Sequence, residues 1–295
     1  LGLLNWLTET EAEYADAARM LARHELPNFR KGFEYILEAG NLNAAVTYMR
    51  HLQHFLNLLN LPAERDAVAE QFQKTASKRV PAEGPLDRPA FQFLLGQSER
   101  LLQSGRVSQA GSLLQQLVQR ISEEDGLSYD GEEAALDRAV ALHRFGQLLQ
   151  NAQQAQSAHG AYQKALESLE DVEESETAQA ERLALYQASA QVLLAGGQLQ
   201  EAKEACRSGL EIAQDIDDRE AMGNLNAQLA DVALAQEKLD DARAKLETAL
   251  IHFKAADNKL NMARAWNRLG AVARQQSDLD EAQRCYEQAL ELTKE

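Results

Sequence analysis

An alanine that returns at a near-constant interval is the feature that most constrains how this chain can fold. Ala202, Ala242 and Ala282 are each 40 residues apart, and Ala158 and Ala110 continue the series towards the N-terminus at spacings of 44 and 48. Self-similarity at such a period is typical of stacked helix pairs, and a small side chain at one place in every pair lets its two helices cross closely. The sequence therefore predicts a helical repeat whose alanines are buried at the crossings.

The composition favours helices throughout the chain. Aromatic residues make up 6% of the 295 residues, and only five prolines and 16 glycines interrupt the apolar-periodic segments. Ala, Leu, Gln and Glu dominate, and these residues have high helix propensity. Gly105, Gly197 and the segments QSDLD and QEKLD provide the short turns between helices.

The C-terminal segment resembles the tetratricopeptide repeat family. The family signature W-x2-L-G…A-x3-F-x2-A is matched at Trp266, Leu269, Gly270, Ala282, Tyr286 and Ala289. Ala273 and Lys294 depart from it, where the family has an aromatic residue and a proline. The resemblance implies an all-α fold, a right-handed superhelical solenoid of antiparallel helix pairs.

The 40-residue spacing exceeds the family's usual period of about 34 residues. It resembles the extended tetratricopeptide repeats of kinesin light chains and of the sensor regions of bacterial STAND-type signalling ATPases. Glu25, Asn28, Phe29 and Arg30, followed by Gly40 and Ala45, also resemble the segment that joins the motor part of STAND proteins to their repeats. A divergent capping repeat is the alternative interpretation of this segment.

Three parts of the chain are predicted from these patterns. Residues 1–80 form an N-terminal helical subdomain, residues 81–88 a linker, and residues 89–295 an array of about five repeats. Pro81, Gly84, Pro85 and Asp87 mark the linker, which is either a flexible joint or a rigid loop within a continuous solenoid. The chain does not begin with Met, so we expect it to be part of a longer protein.

The net charge argues against several classes of partner. At −16, with a pI near 4.9, the chain repels nucleic acids and anionic lipids, while a cationic or neutral peptide remains compatible. No apolar run approaches the roughly 20 residues of a membrane span. Cys206 and Cys285 provide neither a disulfide framework nor a metal spacing, which fits a reducing cytoplasm.

Catalytic and cofactor motifs are missing from the sequence. The P-loop pattern G-x-x-x-x-G-K-[ST], G-x-S-x-G and H-E-x-x-H are absent. His51 and His54 could share a metal, but an amphipathic helix explains them equally well and no third ligand is near in sequence. We expect no enzyme activity, no metal and no cofactor.

The resemblance implies a ligand groove on the concave face, lined by positions 2, 5, 9 and 12 of each repeat. Counted from Ala139, Leu183, Gly223 and Ala263, these positions and their neighbours give a groove of His143, Gln147, Gln150, Gln187, Gln191, Leu194, Asn224, Asp231, Leu234, Arg264, Asn267 and Arg274. Its amides can donate to and accept from a peptide backbone, and Leu194 and Leu234 would add apolar contact.

These features favour a non-catalytic module that binds a peptide or protein segment in the groove, as the sensor part of a larger signalling protein. The alternative is a free-standing scaffold or adaptor that assembles protein partners or self-associates through its end repeats. The last helix would supply the contact surface for self-association, with Tyr286, Ala289 and Leu290 on its apolar face.

Overall fold

The computed structural model describes residues 11–39, 42–78, 80–123, 125–173 and 175–293, and this part of the chain is all-helical. It divides into two compact units, Leu1–Asp130 and Gly131–Glu295. The helices described in the first unit are α1 (Glu11–Ala39), α2 (Leu42–Leu58), α3 (Pro62–Ala76), α4 (Arg88–Gln103) and α5 (Val107–Ile121).

The second unit is a stack of antiparallel helix pairs. Its helices are α6 (Gly131–Asn151), α7 (Ala155–Ser168), α8 (Glu176–Ala195), α9 (Leu199–Asp215), α10 (Arg219–Ala235), α11 (Leu239–Ala255), α12 (Lys259–Gln275) and α13 (Leu279–Leu292). We call α6, α8, α10 and α12 the first helices of the pairs, and α7, α9, α11 and α13 the second helices. The fold class predicted from the sequence is confirmed: the chain is an all-α, tetratricopeptide-type solenoid.

The first unit ends at Asp130, and the segment predicted as a linker, residues 81–88, lies inside that unit. That segment belongs inside the first unit because Leu86 is fully buried and its backbone N–H donates to Gly126 O over 3.0 Å. The rings of Phe72 and Phe93, which precede and follow the segment, also meet edge to face at 5.4 Å. Proline and glycine therefore mark an anchored loop here.

The 40-residue period arises from helices and turns of constant length. Helices α9 to α12 have 17 residues each, and the turns that join them span residues 216–218, 236–238 and 256–258. In each turn the middle residue adopts a left-handed conformation, with φ of 54° at Asp217 and 60° at Glu237. The next N–H reaches back to the preceding helix, as Asp218 N does to Ala213 O over 2.9 Å, which satisfies a terminal carbonyl.

The last residue of a turn also begins the following helix. The side chain of Asp218 accepts from Ala221 N over 2.9 Å, and Asn258 and Asp278 make the equivalent bond at the start of α12 and α13. An acceptor at this position satisfies one of the unpaired N–H groups of the new helix. At these three positions one short turn thus ends one helix and caps the next, whereas Lys238 begins α11 without a side-chain cap.

The recurring alanines are buried, as the sequence predicted. Ala110, Ala158, Ala202 and Ala242 are fully buried and Ala282 is 4% exposed. Close contact between the helices of a pair also depends on a second small position, sixteen residues before a larger side chain. Gly146 lies against the ring of Tyr162, and Ala230 belongs to the same buried cluster as Leu246. A Cβ added to Gly270 would lie 2.7 Å from the ring of Tyr286.

We predict that Gly146→Ala lowers the free energy of unfolding by about 1 kcal/mol, because the new methyl overlaps the fully buried ring of Tyr162 and the cost exceeds the gain in helix propensity. Gly270→Ala is the matched control. Its partner Tyr286 is 38% exposed and can move, so this variant should be as stable as the parent or more so.

Denaturant unfolding of both variants measures the difference. A double-mutant cycle with Tyr162→Leu tests the cause. Gly146→Ala should lower the free energy of unfolding less in the Tyr162→Leu background than in the parent, because the smaller side chain leaves room for the methyl. Equal stability of Gly146→Ala and Gly270→Ala would show that the crossing is not limited by volume.

Both cysteines should be chemically inert in the folded chain. Cys206 is fully buried, and burial together with the nearby Asp231 carboxylate raises its pKa to about 12. Burial likewise raises the pKa of Cys285, which is 2% exposed. At pH 8 only about one Cys206 in ten thousand is then a thiolate, the form that reacts.

An Ellman assay at pH 8 should therefore detect two thiols only after unfolding. Ser104→Cys, at an exposed position, provides a reactive control. Rapid reaction of the unmodified chain in native buffer would contradict the buried placement of both thiols.

Candidate functional site

A groove in the second unit runs across the first helices of its four pairs. It has a volume of about 390 Å³. We call it the inner groove, and its lining residues are His143, Gln147, Ala184, Gln187, Ala188, Gln191, Asn224, Ala227, Gln228, Phe253, Asn261, Arg264, Ala265 and Arg268. All but Phe253 come from α6, α8, α10 and α12.

Helical spacing brings these side chains to one surface. On α8 the lining residues Ala184, Gln187, Ala188 and Gln191 follow the i, i+3, i+4, i+7 pattern of a single helix face. From α9 to α12 the constant helix and turn lengths keep that face in register between α10 and α12. Alanines therefore recur in the groove between amides.

Six of the twelve residues predicted for the groove line it: His143, Gln147, Gln187, Gln191, Asn224 and Arg264. Leu194 and Leu234 instead pack, partly buried, against the apolar clusters between the helices. Both leucines are at position 12 of their repeats, where the helix surface faces the core and not the groove. The apolar contact predicted for a ligand is therefore made with the core.

The other predicted residues lie beside the inner groove or away from it. Gln150 bonds to the lining residue Gln191, and Asp231 pairs with the lining residue Arg268 at 3.1 Å. Asn267 is exposed on α12. Arg274 borders a separate apolar hollow on α13.

Three further polar residues line the groove but are not among those predicted from the sequence: Gln228, Asn261 and Arg268. Gln228 and Arg268 stand four residues after Asn224 and Arg264, which places them on the same helix face. The sequence contained this information, because residues at positions 2 and 6 of a repeat are four apart and therefore lie on the same helix face. Asn261 lies three residues before Arg264, and the same rule would have found it.

A chain of hydrogen bonds fixes the orientation of the amides between α10 and α12. Arg264 Nη1 donates to Asn261 Oδ1 over 3.1 Å, and Asn261 Nδ2 donates to Asn224 Oδ1 over 3.3 Å. A guanidinium has donors only, so Asn261 must face it with its oxygen. Asn224 then accepts through its own oxygen, and its Nδ2 remains available as a donor.

A second chain lies at the α6 end. Arg144 Nη1 donates to Gln147 Oε1 over 3.3 Å, so the Gln147 amide nitrogen faces His143 Nε2 at 3.1 Å and donates to it. His143 consequently carries its proton on Nδ1 and donates to Glu181 Oε1 over 2.7 Å. The arginine thereby determines the tautomer of a buried histidine.

Further bonds join successive first helices directly. Gln228 Nε2 donates to the backbone oxygen of Gln187 over 3.2 Å, and Arg268 Nη1 does the same to Ala227 O over 3.4 Å. Tyr162 donates to Gln150, whose amide nitrogen donates to Gln191 Oε1 over 3.0 Å. The groove face of each pair is thus tied to the next pair.

Two arginines line the inner groove of this acidic protein. Its described lining residues include Arg264 and Arg268 and no carboxylate. Asp231 lies behind Arg268, and burial raises the pKa of this carboxyl while Arg268 opposes the shift. Arg264 has no carboxylate partner among the contacts that the described residues make.

The described residues hold neither a metal cluster nor a membrane-spanning helix. No group of three His, Cys, Asp or Glu side chains is placed to hold a metal ion there. None of the helices in the same residues combines the length and the apolar composition that a membrane crossing requires.

Comparison with known proteins identifies the repeat. Residues 221–295, which hold the last two helix pairs, match the tetratricopeptide repeat family. A search of the curated proteins finds no match. Among solved structures, a kinesin light chain of Podosopora anserina with nearly identical TPR-like repeats is 19% identical, with a TM-score of 0.54 over 69% of this chain and 94% of the other.

Two Rap structures cover more of the chain. The apo form of RapI has a TM-score of 0.64 at 12% identity, over 92% of this chain and 76% of RapI. A Rap protein complexed with competence and sporulation factor has a TM-score of 0.53 at 12% identity, over 91% of this chain and 76% of the other. These similarities show a tetratricopeptide-type fold, and the last two helix pairs also carry the family's sequence pattern.

Proposed function

We propose that this chain is a non-catalytic recognition module that binds an extended peptide or protein segment in the inner groove. The observation that carries the proposal is a groove across four successive helix pairs, lined by amides over a floor of alanines. An Asn or Gln side chain can bond to the N–H or C=O groups of an extended backbone, and small floor residues leave room for that backbone. A Rap protein of similar fold has been solved with competence and sporulation factor bound, which supports this class of function.

We further propose that the module senses its ligand for a larger signalling protein in a reducing cytoplasm. A ligand in the inner groove would contact first helices of different pairs at once. Because Gln228 and Arg268 already join these helices, such a ligand would favour one arrangement of the stack over others. That preference is what a sensor transmits to an attached domain.

A second candidate function is self-association through the last helix. Leu279, Tyr286 and Leu290 on α13 are 68%, 38% and 56% exposed around an apolar hollow of about 410 Å³. The residues one repeat earlier, Leu239, Leu246 and Leu250, pack in the cluster that includes Trp266 and Leu269 of the following helix.

The α13 surface therefore has the pattern of a face that another helix covers, and a second copy of the chain could supply that helix. Arg274 borders the hollow near the start of α13 and Glu287 lies in its C-terminal half. An antiparallel twofold pairing would bring these opposite charges together.

Groove recognition predicts that a variant with Gln187→Ala, Gln191→Ala and Asn224→Ala loses about tenfold or more in affinity for peptides selected by the parent protein from an array of short random-sequence peptides, because each removed amide costs a backbone bond. The control carries Gln163→Ala, Gln214→Ala and Gln288→Ala, exposed amides on second helices. Circular dichroism should show all three proteins folded. Equal peptide binding by the two variants would remove the inner groove as the binding surface.

Self-association predicts that sedimentation velocity shows a concentration-dependent dimer, and that Leu279→Glu with Leu290→Glu abolishes it by placing charges on the apolar face. Ile251→Glu, at a residue 68% exposed on α11, should leave the dimer intact. A parent protein that stays monomeric at every concentration would exclude this second function.

A further inference from the structure

A second hollow, with a volume of about 880 Å³, lies within the first unit. It is bordered by α4, by α5 and by the residues from Ser77 to Gly84, and we call it the α4–α5 cleft. Its apolar surface comes from Phe93 and Leu94 on α4 and from Leu113 and Leu117 on α5. Hollows of this size and composition are typical of binding sites.

The repeat register shows which positions the cleft exposes. The recurring alanines Ala110 and Ala282 align the α4–α5 pair with the α12–α13 pair. In this alignment the cleft residues Leu94, Gln97 and Leu113 have as their counterparts, in the same order, Trp266, Leu269 and Cys285. The two pairs can therefore be compared face by face.

In the α12–α13 pair the second helix of the preceding pair covers this face. Leu246 of α11 is fully buried in one cluster with Leu269 and Cys285, and Leu239 and Leu250 of α11 pack against the same cluster. The three leucines follow an i, i+7, i+11 spacing, which places them on one side of their helix. An amphipathic helix with this spacing is thus what fits such a face.

On the α4–α5 pair a loop borders the same face. Helix α3 reaches α4 through the rings of Phe72 and Phe93, which meet edge to face at 5.4 Å. Beyond α3 the chain continues as the anchored loop, where Arg120 Nε donates to Gly84 O over 2.6 Å and Arg120 Nη1 donates to Pro81 O over 2.9 Å. Among the described residues, α4 and α5 are the helices that line the cleft, so the face that α11 covers in the second unit stays open here.

The rim of the cleft carries exposed carboxylates. Glu83 on the loop and Glu123 after α5 are both exposed, whereas the Arg120 guanidinium is turned towards the loop carbonyls. A helix with lysine or arginine beside its apolar face would meet opposite charge at this rim, and the net charge of −16 would attract it at long range.

We propose that the α4–α5 cleft binds an amphipathic helix of a partner protein. Its apolar residues follow the spacing of Leu239, Leu246 and Leu250, and its flanks are basic. The helix lies against α4 and α5 as α11 lies against α12 and α13. A helix whose apolar face fills a groove is a common mode of recognition between proteins. The chain then has one binding surface in each unit.

The probe for this site is a fluorescein-labelled peptide with the sequence of α11, LDDARAKLETALIHFKA, extended by two lysines at each end. A staple on its polar face keeps it helical, because an isolated helix of this length is marginal in water. Fluorescence anisotropy with the full chain should show saturable binding. A peptide with alanine in place of Leu246 and Leu250 should bind about tenfold more weakly, and glutamates in place of the added lysines should weaken binding most at low salt.

Two variants assign the binding to the cleft. Gln97→Leu introduces the residue found at Leu269 and should tighten binding about tenfold, because an apolar side chain replaces an amide beneath the helix. Leu113→Gln should weaken binding by a similar factor. Val107→Gln changes an exposed residue of α5 outside the cleft and should bind as the parent does, and circular dichroism should show all three variants folded.

The proposal is overturned if the peptide does not bind, or if neither Gln97→Leu nor Leu113→Gln changes its affinity. Loss of the peptide from the inner-groove triple variant would place the helix in the inner groove and would overturn it as well. If sedimentation velocity shows self-association that Leu113→Gln abolishes, the cleft holds a second copy of the chain and not a partner protein. Recognition by the inner groove is judged separately, because the array-selected peptides should bind Leu113→Gln and the parent equally.

Discussion

The close crossing of the two helices in each pair is the constraint on which the rest of the second unit depends. Its small and large residues are matched in volume: Gly146 faces Tyr162 and Gly270 faces Tyr286, whereas Ala230 shares its cluster with the smaller Leu246. Where the larger residue is fully buried, as Tyr162 is, packing at this density tolerates neither a gap nor an extra methyl. The reciprocal sizes therefore keep the helices of successive pairs at similar separations although the side chains differ.

The inner groove is a consequence of that regularity. Because the crossings and the three-residue turns repeat, the first helices present equivalent faces, and Gln228 and Arg268 meet the backbone of the preceding first helix from the same position in their repeats. These bonds between pairs use some of the polar groups of the lining side chains. Fewer polar groups are therefore exposed in the groove than the sequence alone suggests. The groups that remain have a direction, since an arginine at each end of the groove determines which way its neighbours point.

The sequence was most informative where one physical pattern repeats. The spacing of Ala202, Ala242 and Ala282 predicted the pairs, because a buried small residue is required at each crossing. It was least informative where a local signal has two meanings. Pro81 and Gly84 can form a flexible joint or an anchored loop, and contacts from distant parts of the sequence distinguish the two, such as Arg120, which donates to both of their carbonyl oxygens. Leu194 and Leu234 were assigned to the groove because repeat position alone does not show how far a helix face has turned towards the core.

Charge shows why composition is a weak guide to the ligand. The net charge of −16 is compatible with a cationic or neutral peptide, whereas the lining of the inner groove includes two arginines and no carboxylate among the described residues. Over a distance longer than the screening length of roughly 8 Å in physiological salt, the exposed acidic residues have little influence on a group bound against the helices. At contact distance the direction of the lining donors and acceptors matters more, and between α10 and α12 that direction comes from the hydrogen-bonded chain through Asn261. Selectivity in such a groove is therefore determined by the bonds between its own side chains before any ligand arrives.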